Sequence, residues 1–530
     1  MFLSILYPSE EAAARAARGE NLCRVSGREI AELGLDSLIP LSGGTLEGLF
    51  TTDPAVISYR EEVFRDLLAE PRLSLVLSEA IPVLYDILAL RRLDDELGTS
   101  GEDYLYSITE IELYVSCIDM LAKGLAPLTK RLQSRGFTAL AARIADLSES
   151  EYYRELNEEL SRLSSRIREV KSITVGVNLD AKLRPESAGV LSVNAEPFKS
   201  GELLDKILRM SFRSDAMTCI APLCPFDKNQ SENRRDALNH AFHGALSDVF
   251  RSSVRAWRKI VSEYVLENTD FLLRILPELD FVIRGAALCK ALAEKGLPMA
   301  VPTILEKDAR AFDAKGLYNA AVALSIDEEI VSNDLVFDEA ARLYVLTGPN
   351  RGGKSVVTVA LGQAQALSQL GLPVPAKSLS LSPVDAIFTH FPEGAEDTLD
   401  KGRLGEECAR LSEILDGVSP HSLVLLDESL SSTGAYEASY IAAELLSGLA
   451  VVGCRVLFST HLHELAARVD EINARVAEGG ARIDTLVAGI EEGKRSFLIQ
   501  RKKPDGKSYA SDIADKYGLS FEAILKRTNR

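Results

Sequence analysis

No two of the seven cysteines in this chain form a Cys-x2-Cys pair: Cys23, Cys117, Cys219, Cys224, Cys289, Cys408 and Cys454 are odd in number and widely scattered. Such spacing argues against a disulfide framework and against a structural zinc site, and describes reduced thiols in a cytosolic protein. Histidine is equally scarce. The pairs His240/His243 and His461/His463 lack a third ligand, so helix-face and loop roles come before metal binding. Met1–Tyr7 is too short an apolar stretch for a signal peptide, and no run reaches membrane-spanning length; the expectation is a soluble, cytoplasmic protein. Nor is there a surplus of positive charge. The formal net charge of −18 argues against general coating of nucleic acid, while leaving room for a local basic face. What the chain has is size and apolar content: 530 residues at 46% hydrophobic can bury the cores of several domains.

The stretch that organises the rest is Thr347-Gly348-Pro349-Asn350-Arg351-Gly352-Gly353-Lys354-Ser355. The apolar, β-prone Leu343-Tyr344-Val345-Leu346 precedes it, and apolar residues at helical spacing follow from Val356 to Leu370, giving strand, glycine loop, helix. Gly348, Gly352 and Gly353 let successive backbone N–H groups aim at phosphate oxygens, and the positive end of the following helix adds to them. Pro349, Asn350 and Arg351 complete the loop and Val356 continues into the helix, so all belong to the nucleotide-binding set. Within the Gly-x4-Gly-Lys-Ser spacing, Lys354 reaches the β/γ-phosphates and the Ser355 hydroxyl ligates Mg²⁺.

Two later stretches follow in an order that suits the same chemistry. Leu423-Val424-Leu425-Leu426-Asp427-Glu428 is an apolar strand ending in two carboxylates, which places Asp427 in a Mg²⁺ shell and Glu428 where it can orient or deprotonate an attacking water. Val456-Leu457-Phe458-Ser459-Thr460-His461 is another buried-looking strand with a polar end. Alone, His461 reads as a satisfied histidine; as the third element in this order it reads as a γ-phosphate contact.

The glycine loop, Ser422-Leu423-Val424-Leu425-Leu426-Asp427-Glu428 and Ser459-Thr460-His461-Leu462-His463-Glu464-Leu465 together resemble the ATPase motifs of the MutS family of DNA mismatch-repair proteins. The Gly-Pro-Asn opening and the Thr-His-x-His-Glu-Leu ending are narrower than a generic nucleotide loop. The resemblance implies a multidomain chain: an α-helical core with long lever helices and a small β tip that embraces DNA, plus an α/β P-loop ATPase domain of the ABC type. It also implies ATP and Mg²⁺ as cofactors and a homodimer through the ATPase domains, with Ser431–Glu437 similar to the family's dimer-contact loop. Two positions depart from the pattern. Where the family commonly has an aromatic that stacks on adenine, this chain has Ile330, which offers an apolar face; where a serine-bearing segment acts in trans, Lys401–Glu407 has Gly402, followed by Arg403.

The domain reading places a first part of the helical core at 1–102, lever helices and tip at 103–270, a return segment at 271–302 and the ATPase domain at 303–530. Asp53-Pro54 opens a helix with Val63, Phe64, Leu67 and Leu68 on one side. Residues 103–170, interrupted around Gly124, Pro127 and Gly136, and Asn229–Asn268 are charged helical stretches able to run antiparallel; forty helical residues extend ~60 Å. Between them Ser172–Leu179 and Val190–Asn194 are β-like. Leu272, Leu273, Leu276, Leu279, Phe281 and Val282 return to pack on the first core segment. Residues 201–260 hold ten Lys and Arg against seven Asp and Glu. Arg251, Arg255 and Arg258 there form a stripe that is either a phosphate footprint or a solvated face beside Trp257. No Phe-x-Glu mismatch reader precedes the lever region; Phe337-Asp338-Glu339 and Phe391-Pro392-Glu393 have the spacing but sit in the ATPase segment. The expectation is an ATP-hydrolysing DNA clamp of mismatch repair or recombination. The alternative is an ATP-switched clamp on a protein or ribonucleoprotein.

Overall fold

The structure is a computed structural model that describes residues 2–97, 103–169, 171–182, 185–194, 196, 224–225, 271–349, 351–392, 403–476, 479–491, 494–504, 517–519 and 521–528. It divides into two compact units, one formed by 1–71, 133–137 and 280–530, the other by 72–132 and 138–279.

The first unit is built on a six-stranded sheet in the order Lys494–Arg501, Ile483–Glu491, Leu343–Thr347, Arg455–Ser459, Leu423–Asp427, Ile387–His390. Neighbours run parallel, except in the hairpin that joins the first two. Every residue of Leu343–Thr347, Leu423–Asp427 and Arg455–Ser459 is buried. A parallel sheet is covered on both faces, which is why these strands read as continuous apolar runs. On one face Leu446 and Leu449 of the helix Ala435–Val452 join Val424, Leu426 and Phe458 in a single apolar core. The register brings Asp427 beside Ser459 and Ser459 beside Leu346, so three strands end side by side at their carboxyl edges, where such sheets bind ligands. A four-stranded sheet, Thr303–Ile304, Ser378–Leu381, Phe312–Leu317, Asn333–Phe337, belongs to the same unit.

The helix Lys354–Leu370 behind the glycine loop is fastened to the start of the chain. Fully buried Gln363 and Gln369 donate to the carbonyls of Leu33 and Thr51, so their polar side chains are satisfied inside the core. The helix Pro54–Ala69 starts as its sequence implies: Asp53 accepts from the Ala55 N–H, and Pro54 takes a first-turn position that needs no N–H. Val63, Phe64 and Leu67 are buried while Leu68 stays exposed. Phe64 meets Phe281 edge-on at 5.9 Å, so the return segment reaches this helix through Phe281.

The stretch from 103 forms the helices Asp103–Leu125, Arg135–Glu149 and Glu151–Glu169, the middle one starting in the first unit; of the expected interruptions only Pro127 lies between helices, Gly124 and Gly136 fall inside them, and the second break is at Ser150. The Tyr153 hydroxyl lies 2.9 Å from the Val115 carbonyl and 2.8 Å from the Asp119 carboxylate, tying the last of these helices to the first. Ser172–Leu179 pairs antiparallel with a strand that begins earlier than its β-like core, Pro185–Asn194, and Cys224–Pro225 adds a short third strand. Asn229–Asn268, with Arg251, Arg255 and Arg258, lies outside the described residues.

Contrary to the sequence expectation, two helical stretches, Pro71–Leu90 and Ala435–Val452, are long and apolar enough to cross a membrane. Both have an apolar side inside a protein core: Leu73, Leu77 and Leu84 are fully buried on the first, Leu446 and Leu449 on the second. Cys23, Cys117, Cys289, Cys408 and Cys454 are free thiols.

Candidate active site

The strand Leu343–Thr347 delivers the chain into a loop that few residue types could follow. Gly348 has φ +142°, and a Cβ there would lie 2.7 Å from the Ala488 Cβ on the neighbouring strand. Gly353, at φ +87°, caps the helix Lys354–Leu370, and Arg351 adopts φ +59° between them. Lys354 is almost fully buried; its Nζ donates to the carbonyls of Gly348 and Pro349, both at 3.2 Å, so the ammonium lies across the loop. Burial pulls its pKa down, and the carboxylates of Glu428 and Asp427 work against that shift. A cation held over a helix N-terminus and a glycine loop is arranged to receive phosphate.

Asp427 closes its strand with a buried side chain, and burial pushes its carboxyl pKa up, opposed by the Ser355 and Ser459 hydroxyls. Its buried Oδ1 has no hydrogen-bond partner. A buried carboxylate oxygen without a donor is costly, and a hard cation beside it would remove that cost. No cluster of three or more His, Cys, Asp or Glu side chains suited to a metal occurs among the described residues. A cation here would therefore take most of its ligands from bound phosphate and water, the usual manner of Mg²⁺. Ser355 and Asp427 fit that arrangement.

Glu428 follows in a left-handed conformation, φ +47°, with its N–H donating to the Ser459 carbonyl at 2.8 Å. The turn carries its carboxylate out of the strand, to within 3.7 Å of His461 Nδ1, and both side chains keep contact with solvent. A cavity of about 510 Å³ opens there, a volume suited to a small-molecule ligand. Arg351, Gly352, Gly353, Lys354, Ser355, Val356 and Glu428 line it together with the apolar Val322, Ile326, Ile330 and Phe497. The sequence-derived residues are thus brought together, with Gly348 and Pro349 beneath Lys354 and His461 facing Glu428. Asn350 and Gly402 lie outside the described residues.

Two residues at the site have no role in the sequence reading. His463 Nδ1 is 3.1 Å from Thr347 Oγ1, and its pKa is lowered by burial, then by Lys354 and His461. Its place in Thr-His-x-His was the available signal. Phe497, at φ +56°, has its ring near the first turn of the loop helix: a Cβ on Gly353 would meet its Cδ1 at 3.4 Å. Buried Asn333 holds it there, donating to the Phe497 carbonyl at 3.2 Å and accepting from the Ile499 N–H at 2.7 Å. Only the sheet order brings this hairpin strand to the loop, and no local spacing announces it.

A family model described as MutS domain V matches residues 344–526, and one described as MutS2 N-terminal domain matches 52–295. Among curated proteins, the DNA mismatch repair protein MutS of Leuconostoc mesenteroides is 36% identical over 205 residues, 38% of this chain and 23% of that protein. The protein of the same name from Chloroflexus aurantiacus is 30% identical over 293 residues, 54% of this chain and 29% of its own length. The one from Chlorobium limicola is 36% identical over 190 residues, 34% and 22% respectively. The matched part of this chain thus spans under a third of each of these relatives.

Proposed function

Because this chain belongs to the MutS family, we propose that it is a Mg²⁺-dependent ATPase whose nucleotide state governs the clamping of DNA in mismatch repair or recombination. The observation that carries the catalytic half is one cavity lined by Lys354, Ser355 and the outward-turned Glu428, with the unpartnered Oδ1 of Asp427 buried behind Ser355. In this reading the loop N–H groups and Lys354 bind the phosphates, Lys354 exchanging its two carbonyl contacts for phosphate oxygens. Ser355 and Asp427 would hold Mg²⁺, which would supply positive charge beside the bound phosphates. Glu428 orients the attacking water and accepts its proton at the carboxylate, while His461 meets the γ-phosphate side. Ile330 and Phe497 enclose the base, Phe497 providing the aromatic face that position 330 lacks.

The DNA half rests on family membership, as does a cytoplasmic homodimer joined through the ATPase segments. The net charge of −18 favours a second reading, a protein or ribonucleoprotein as the clamped partner. ATP turnover measured with and without Mg²⁺, and with linear, mismatched and four-way DNA at low and moderate salt, tests both halves. Mg²⁺-dependent turnover stimulated by one DNA form, with binding that falls steeply as salt rises, supports the proposal. Turnover indifferent to every DNA form supports the second reading, and absence of turnover refutes the ATPase assignment.

A further inference from the structure

His390 lies outside the glycine loop, the two acids and the Thr-His motif, yet it is bound to the turn that presents Glu428. It ends the edge strand Ile387–His390, level with Leu426 on the neighbouring strand, and is 2% exposed. Its Nδ1 is 2.7 Å from the hydroxyl of Ser429, and that hydroxyl also lies 3.2 Å from the His390 carbonyl. A serine hydroxyl has one proton. Given to the carbonyl, it leaves the oxygen's lone pairs for an Nδ1–H donor, so both contacts are satisfied in a single tautomer.

Ser429 stands between two non-glycine residues in the left-handed region, Glu428 at φ +47° and Leu430 at φ +65°. Such conformations persist only where surrounding contacts fix them. The buried Ser429 hydroxyl, held twice by His390, is one such anchor; the Glu428 N–H bonded to the Ser459 carbonyl is the other. The ordinary role of a buried histidine is to satisfy a loop. Here the residue it satisfies is the one next to the water-orienting carboxylate.

We propose that His390 is a positioning residue for hydrolysis: through Ser429 it fixes the left-handed turn that aims the Glu428 carboxylate into the nucleotide cavity, without itself touching nucleotide. This rests on the assignment of Glu428 under the proposed function. The test uses the full chain and the variants His390→Ala, His390→Asn, Ser429→Ala, Glu428→Gln and the double variant His390→Ala/Glu428→Gln. Each is measured for kcat, for equilibrium affinity for a fluorescent ATP analogue, and for Tm. His390→Ala and Ser429→Ala should each lower kcat about tenfold while affinity stays within about twofold. Asparagine can place a donor near the Nδ1 position, so His390→Asn should recover most of the lost kcat. In the Glu428→Gln background, His390→Ala should cost nothing further.

Wild-type kcat in both His390→Ala and Ser429→Ala would overturn the inference, as would affinity falling in step with kcat, or a further loss of turnover in the double variant. Should His390→Ala fail to fold, Ser429→Ala and His390→Asn decide the question. Equal turnover by the wild type and Glu428→Gln overturns this inference together with the proposed function. A loss in Glu428→Gln with none in the His390 and Ser429 variants overturns this inference alone.

Discussion

The two ends of the proposed nucleotide cavity are made in different ways. At the phosphate end the working groups are held by backbone: Gly348, Arg351, Gly353 and Glu428 all have positive φ, and they occur in two short consecutive segments. At the proposed base end the wall is made of side chains far apart in the chain, Ile330 before the loop and Phe497 on a hairpin beyond the Thr-His motif, the latter held by buried Asn333. The first construction demands particular residues at fixed spacing. The second demands only apolar surface, supplied wherever the sheet order brings a strand close.

That contrast can be broken by substitution. Lys354→Ala removes the buried ammonium over the loop and should weaken ATP binding about 100-fold in a fluorescent-nucleotide titration. A loss of only a few-fold would mean that the backbone alone carries the phosphate end. Phe497→Ala should weaken binding less, about tenfold, because it removes one stacking face from an otherwise apolar wall. Its kcat should stay near the wild-type value, and an unchanged affinity would take Phe497 out of the base site.

The smallest effect belongs to Asp427→Asn in the absence of metal and nucleotide. Burial raises the Asp427 pKa in the folded protein, so the folded form holds this proton more tightly than the unfolded form. Its contribution to stability therefore declines as pH rises from the ordinary carboxylate value through the raised one, and is lost above the raised value. The amide should stabilise the nucleotide-free protein above the raised value and flatten that part of the pH profile, while abolishing stabilisation by MgATP. Thermal melts across pH, with and without MgATP, check the sign. A fall in apo stability would show that Asp427 is stabilised in the empty site by contacts stronger than its burial.

How far the sequence could be read follows the same division. The strand, loop and helix around Gly348–Ser355, the helix start at Asp53-Pro54 and the convergence of Asp427, Glu428 and His461 were legible, because each depends on residues adjacent in sequence or on strands whose apolar runs mark a parallel sheet. Phe497 and the contact of His463 with Thr347 were not, since both depend on which strands become neighbours. Helix Ala435–Val452 shows another limit: composition alone suits it to a membrane, and only its packing against Val424, Leu426 and Phe458 reveals a core helix. The early start of the strand at Pro185 was hidden as well, because Pro, Glu, Ser and Gly at its beginning carry no β signal.

The most direct test of the account is the nucleotide recovered from the protein after a single turnover. Wild type and Glu428→Gln are each mixed, in excess, with radiolabelled ATP and Mg²⁺, then quenched over time. Bound ATP converting to ADP on the wild type, while ATP persists on Glu428→Gln with conversion slowed about 100-fold or more, is the predicted result. ADP appearing at the same rate on both would contradict it.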